Sequence, residues 1–284
     1  MTERTVPKPG LYEDIPFETY CQWDAVNNSV LKILSDTRKC PAHAKEYIDN
    51  GRPDTPAMKF GRALDCFLLE PTRWVQWFSV CPDVDRRTKA GKTAYAEFEV
   101  GLQDGQEVVT QSDFEKIQTI YNRVAQSMAM RLIQGGVSQV CAVWIDPETE
   151  LLCKARYDYY QPDIPMITDV KSAMDASPDG FAQAMFKFSY FQQAAFYTMG
   201  HEVLTDEEPC FAIFATEKDE PFVHGAYQVG DASIKAGRNA ARKALRKYKE
   251  CVDSGQWPLY SDKITILDIP KYALEKFGVN PYQE

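Results

Sequence analysis

Two aspartates and a lysine stand close together where the chain turns from one β-rich run into the next. Asp169 and Lys171 lie two apart in "ITDVKSA", and Asp158 precedes Asp169 by eleven positions in "LLCKARYDYY". Side chains alternate along a strand, so Ile167, Asp169 and Lys171 share one face. A hairpin folded about "QPDIP" brings Asp158 to within about one residue of Asp169 across the ladder. Adjacent carboxylates repel unless something positive sits between them, and hard oxygens of this kind suit Mg2+, with Mn2+ as a substitute. An ion held there polarises a phosphodiester and lowers the pKa of a bound water. Lys171 is then placed to orient or deprotonate that water, or to stabilise charge building on phosphorus. An Asp-x-Lys pair alone is more often an ordinary salt bridge, so the surrounding elements must decide.

Those elements read in order along the chain. Residues 1–27 look like an irregular arm, and 28–135 form a mainly helical part. "NNSVLKILSD" starts a helix at an Asn28 or Ser29 cap, and "TPAMKFGRALDCFLLEP" carries Leu64, Phe67 and Leu68 at helical spacing before Pro71. Segment 79–110 is polar and glycine-containing, which predicts a loop around a short helix, with helix returning over 111–133. The period then changes. "QVCAVWID", "LLCKARYDYY" and "PMITDVKSA" predict three consecutive strands separated by "PETE" and "QPDIP". A helix over 178–200, strands at "CFAIFATEK" and "FVHGAYQV", and a long basic helix over 231–254 complete a core spanning 136–254, followed by a tail over 255–284. One α/β domain with a mixed central sheet flanked by helices accounts for this order.

The chain has 284 residues, 44% hydrophobic and 26% charged, which is enough to bury a substantial core. No run approaches the length of a membrane span and the first residues lack a signal-peptide pattern, so a cytoplasmic protein is expected. Eight cysteines are scattered without a CxxC or CxxH pair and read as small buried hydrophobes. A net charge of −9 argues against general adhesion to polyanions, although local basic paths exist. "DRRTKAGK", with Arg86, Arg87, Lys89 and Lys92, is one, expected as a loop able to grip a DNA strand. The helix at 231–254 offers another, with Lys235, Arg238, Arg242, Arg246 and Lys249 along one face, where a solvated surface is the competing reading. His43, His201 and His224 are isolated and read as non-catalytic. The chain has no GxxxxGKS/T for ATP and no GxSxG nucleophile.

The motifs "DPETELLCKARYDYY", "ITDVKSA", "NNSVLKIL", "GRALDCFLLEP", "YFQQAAFYTMG" and "SGQWPLY", spread over about residues 10–275, resemble the PD-(D/E)xK nuclease superfamily. The likeness is to the catalytic domain of exodeoxyribonuclease VIII (RecE) and its phage-encoded relatives. The resemblance implies a restriction-endonuclease-like core in which Asp158 and Asp169 bind metal and Lys171 is the catalytic lysine. It also implies that Gln193 and Tyr197, four apart on one helix face, form the Q-x-x-x-Y motif bordering the site. Two positions depart from the family pattern. Asp65 stands where the family has a metal-binding histidine; being an oxygen donor on the flank of the Leu64 stripe, it is expected as a third ligand. Gln139 stands where relatives present a glutamate, which weakens the case for a second metal. The function so implied is Mg2+-dependent 5′-to-3′ exonuclease action on double-stranded DNA ends, leaving 3′ single strands for recombination. The alternative is a DNA-binding or assembly protein on the same fold with weak catalysis. Expected partners are DNA ends, a second copy in a ring-shaped homo-oligomer, and a RecT-like single-strand annealing protein.

Overall fold

The turn at residues 162–165 joins the two strands on which the acids lie, and the rest of the molecule is built around that hairpin. A computed structural model describes residues 5–280; the first four residues of the arm and the last four of the tail lie outside it. In chain order the elements are β1 (Gly10–Tyr12), α1 (Phe17–Gln22), α2 (Asn28–Ser35), α3 (Pro41–Asn50), α4 (Pro56–Leu69), α5 (Trp74–Trp77), β2 (Phe78–Cys81), α6 (Lys89–Gly101), β3 (Glu107–Thr110) and α7 (Gln111–Ala125). A 3-10 turn, Met128–Ile133, leads to β4 (Val137–Ile145), β5 (Leu152–Gln161) and β6 (Met166–Ala173). Then follow α8 (Pro178–Lys187), α9 (Tyr190–Thr205), β7 (Cys210–Glu217), β8 (His224–Gln228), α10 (Asp231–Ser254) and α11 (Lys271–Lys276).

Six strands form the central sheet in the order β1-β4-β5-β6-β7-β8. It is mixed as expected: β6 and β7 run parallel, and every other neighbouring pair is antiparallel. The parallel pair requires a crossover, which α8 and α9 supply across one face. On that face Leu31, Trp144, Tyr157, Phe196, Ile213 and Leu245 join α2, α9 and α10 to the sheet. On the other face Leu64, Ile117, Ile120, Val170 and Phe214 join α4 and α7 to it. The helix α9 is clamped from both sides. A Cβ on Gly200 would come within 2.6 Å of the Trp144 ring, and one on Gly237 of α10 within 2.2 Å of the Phe191 carbonyl oxygen. Both glycines permit backbone contact that any larger residue would push apart.

Several expectations need correction. The arm is not irregular: β1 pairs with β4, and Lys154, only 3% exposed, donates to the carbonyls of Tyr20 at 2.8 Å and Trp23 at 2.7 Å. A buried ammonium needs such partners, so it fixes the arm to the sheet. Segment 79–110 is not chiefly loop, since β2 and β3 form a small parallel sheet around the thirteen-residue α6, capped by Thr88. The single helix expected over 178–200 is two. Phe188 caps α8, and Ser189 turns the chain with φ of 55° before α9 begins. No glycine or proline marks the break, and a left-handed serine costs on the order of 1 kcal/mol that the surrounding contacts must offset. The helix over 111–133 ends earlier, at Ala125, and continues as the 3-10 turn.

The cysteines follow expectation in part: Cys40, Cys66, Cys141, Cys153 and Cys251 are buried, whereas Cys21 and Cys210 are exposed, and all are free thiols. Among the described residues no helix is long and apolar enough to cross a membrane.

Candidate active site

The β5–β6 ladder pairs Gln161 with Met166, Tyr160 with Ile167 and Tyr159 with Thr168, and stops there. Continued by one step it would pair Asp158 with Asp169. Instead the Asp158 side chain takes over: its Oδ2 accepts the Val170 N–H at 2.8 Å, replacing a main-chain partner where the strands part. The same position is irregular on the other side. Gln139 of β4, which would face Asp158, has φ of 56° and drops out of an otherwise continuous register. Tyr157 and Tyr160, three apart, therefore join the core beneath α9, as do Val137 and Val140 on β4. A regular strand alternates and cannot do this. The kink at Gln139 and Asp158 opens the sheet where the acids stand, and local disruption of this kind is common beside active sites.

Asp169, 2% exposed, receives Gln193 Nε2 on Oδ1 at 2.7 Å and forms an ion pair through Oδ2 with Lys171. Oδ2 accepts no well-aligned hydrogen bond, so its partner there is a charge and not a directed donor. The Lys171 side chain is 19% exposed and lies 5.3 Å from the Tyr190 ring centroid. Tyr197, one turn beyond Gln193, packs against Tyr157 with ring centroids 5.5 Å apart. Asp158, Asp169, Lys171, Gln193 and Tyr197 are thus brought together as the sequence suggested. Asp65, on α4, shares their field: burial first, then Asp158 and Asp169, hold its carboxyl well above the usual range, with Lys171 opposing.

The charges do not balance within the protein. Burial, reinforced by Asp169, raises Asp158 to about 7 against the pull of Lys171 and the Val170 N–H. Lys171 moves the other way: burial disfavours its charge but Asp169 and Asp158 outweigh it, so its pKa lies above that of a free lysine. Three carboxyls face one ammonium. By the chemistry of their oxygens, Asp169, Asp158 and Asp65 are the groups here that could hold a divalent cation. As the side chains stand, no three acid, histidine or cysteine groups among the described residues form a ready-made cage.

The raised carboxyls have a measurable consequence. A group whose pKa rises from its ordinary value near 4 to about 7 on folding binds protons more tightly in the folded state, so stability falls as pH rises across that interval. In chelator, wild-type protein is expected to lose more stability between pH 5 and pH 8 than Asp158→Asn. Chemical denaturation at both pH values reads the difference, and equal losses would show that Asp158 does not titrate in this window.

Two side chains missed by sequence reasoning border the same space. Lys32 of α2 lies 5.7 Å from the Tyr190 ring centroid. Burial, then the charges of Lys171 and Arg52, lower it to about 8, with Asp169 opposing. Tyr190 stands near both lysines, at 5.7 Å from Lys32 and 5.3 Å from Lys171, because the break at Ser189 starts α9 there. "NNSVLKIL" and "YFQQAAFY" contain both residues, but nothing in their spacing points them at Asp169.

Other candidates stand apart from this centre. Gln139 Oε1 accepts from Arg156 Nε at 2.7 Å and so has a structural partner. Lys89 and Lys92 occupy the first turn of α6 and not a loop; Arg86 lies over Tyr95 at 3.6 Å and Arg87 pairs with Asp85 at 3.0 Å. The basic face of α10 is largely neutralised. Arg238 pairs with Glu202 and Glu208, Arg242 and Arg246 with Asp146 and Glu148, and Lys249 with Asp253. Of the histidines, His43 does have a thiol partner, Cys40 Sγ at 3.1 Å, within the cap of α3.

Residues 28–270 match the family described as "PDDEXK-like domain of unknown function (DUF3799)". The chain belongs to this family. Of solved structures, that of a protein named "Putative exonuclease" from Eubacterium rectale superposes on this PDDEXK-like chain with a TM-score of 0.59. It shares 16% identity and covers 93% of this chain and 98% of that one, which is a likeness of fold. A structure named SSO0001 has a TM-score of 0.28 at 10% identity over 78% of this chain and 85% of that one, too low to bear on the fold. No curated protein sequence matches. The PDDEXK-like assignment agrees with the mixed six-stranded sheet.

Proposed function

We propose that this protein is a Mg2+-dependent deoxyribonuclease acting from double-stranded ends, 5′ to 3′, and that Mn2+ substitutes for Mg2+. The observation that carries the reading is the cluster itself: one ammonium among three carboxyls at a kink in the sheet, with Gln193 and Tyr197 behind it. An ion bound by Asp158, Asp169 and Asp65 would supply a Lewis acid for the phosphodiester and acidify an attacking water. The protein's own groups do the positioning. Gln193 holds one Asp169 oxygen and leaves the other turned toward Lys171. Asp158 is oriented by the Val170 N–H, so its carboxylate cannot rotate freely. Lys171, charged throughout the neutral range, offers its ammonium to the oxygens that gain negative charge as phosphorus is attacked. Lys32 adds a second cation next to the same tyrosine, suited to a neighbouring phosphate.

The likeness to a named exonuclease and to the RecE catalytic domain supports end-dependent digestion that leaves 3′ single strands. On the same grounds we place the protein in the cytoplasm of a bacterial or phage-infected cell, as a ring-forming homo-oligomer beside a RecT-like annealing protein. Digestion of end-labelled linear duplex, compared with closed circular duplex, tests the end requirement. Equal degradation of the circle would replace the exonuclease with an endonuclease. For DNA binding we favour Arg86, Arg87, Lys89 and Lys92, since most of the basic face of α10 is paired with acids. Neutralising all four is expected to weaken duplex binding and to lower the slope of log K against log salt by nearly one for each phosphate that the side chains had neutralised. Titration of binding at several salt concentrations measures it, and an unaltered slope would remove α6 from the DNA path.

A further inference from the structure

The break at Ser189 does more than start α9 beside the lysines; it also presents a row of rings to solvent. Phe186 is 78% exposed and Phe188 45% exposed, although large aromatics are ordinarily buried. Phe188 stands next to Tyr190, with ring centroids 5.7 Å apart, and Tyr190 in turn lies 5.3 Å from the Lys171 ammonium. Tyr190 is held from behind by stacking on Phe181, which itself stacks on Tyr227. Phe186 stacks on Phe191, the next residue of α9. The Lys187 ammonium sits 5.2 Å from the Phe188 ring centroid. Starting at the catalytic lysine, the surface therefore runs tyrosine, exposed phenylalanine, ammonium.

A ring and a cation alternating on the surface match single-stranded nucleic acid, whose bases stack and whose phosphates need positive charge. The left-handed Ser189 gives the step a fixed position, because it ends α8 and starts α9 within two residues. We propose that Phe188, backed by Tyr190 and flanked by Phe186 and Lys187, is a stacking step for unpaired terminal bases of the strand whose phosphodiester enters the Asp158–Asp169–Lys171 centre. This rests on the nuclease reading above.

The test compares a blunt duplex with the same duplex carrying a short 5′ single-stranded extension, both protected by phosphorothioate linkages, by fluorescence anisotropy in Mg2+. Wild-type protein is expected to prefer the extended duplex by about five- to a hundred-fold, the range of one stacked base. Phe188→Ala and Phe188→Leu should lose that preference while binding the blunt duplex unchanged, and Phe188→Trp should keep it. Leu retains apolar bulk, so its failure would isolate the loss of a flat ring. Persistence of the preference in Phe188→Ala, or an equal loss on both duplexes, would overturn the stacking step and leave the nuclease reading standing. A wild-type protein that binds neither duplex would overturn both. A changed sedimentation coefficient in Phe188→Ala, with DNA preference intact, would assign the ring to an interface between copies and overturn the step.

Discussion

Asp169→Ala is expected to lower Mg2+-dependent DNA hydrolysis by at least about a thousand-fold while leaving the protein folded. The asymmetry comes from the charge count. Asp169 is the most buried acid of the site and is held by Gln193, so its loss would remove the proposed ligand and the anchor of Lys171 together. Lys171 is not left unpaired, because Asp158 and Asp65 remain in its field. Removing one of three mutually repelling carboxyls also relieves strain among the others. Thermal unfolding in chelator should therefore move little. Activity within ten-fold of wild type would contradict the assignment of Asp169, and a collapse of the fold would contradict the charge count.

The second large effect is on stability as well as rate. Lys171→Ala leaves Asp65, Asp158 and Asp169 without their ion-paired ammonium and with only Lys32, across Tyr190, as a nearby cation, and a poorly compensated buried charge costs about 3 kcal/mol. Because the raised carboxyls ionise as pH rises, the loss should be larger at pH 8 than at pH 5. Mg2+, held by the same oxygens, should restore much of that stability and none of the rate that depended on the ammonium. Denaturant titration with and without Mg2+, paired with turnover on linear duplex, separates the two. A Lys171→Ala protein as stable as wild type in chelator at pH 8 would mean that the three acids are not a coupled group.

The parts legible in the sequence are those governed by local period and turn chemistry. "QPDIP" and strand alternation are enough to put Asp158 near Asp169 and Lys171, although not to show the kink that parts the strands there, and the stripe of Leu64 and Leu68 is sufficient to make α4 a helix. Long-range contacts supply the remainder. The arm is ordered because Lys154, 131 positions beyond Trp23, reaches its carbonyls. The basic face of α10 looks available in the sequence because its partners, Asp146, Glu148, Glu202 and Glu208, lie far from it along the chain. Neither the left-handed Gln139 nor the left-handed Ser189 is announced by glycine, asparagine or proline, and both shape the site. Lys32 is hidden for a similar reason: only the packing of α2 against α9 and the sheet brings it to Tyr190.

The most direct measurement is hydrolysis of end-labelled linear duplex DNA by the wild-type protein in Mg2+ and, in parallel, in excess chelator. Progressive release of label in Mg2+, abolished by chelator and restored by added Mg2+ or Mn2+, is the predicted result. DNA that stays intact in both metals, or is degraded equally in chelator, would contradict a metal-dependent nuclease centred on Asp158, Asp169 and Lys171.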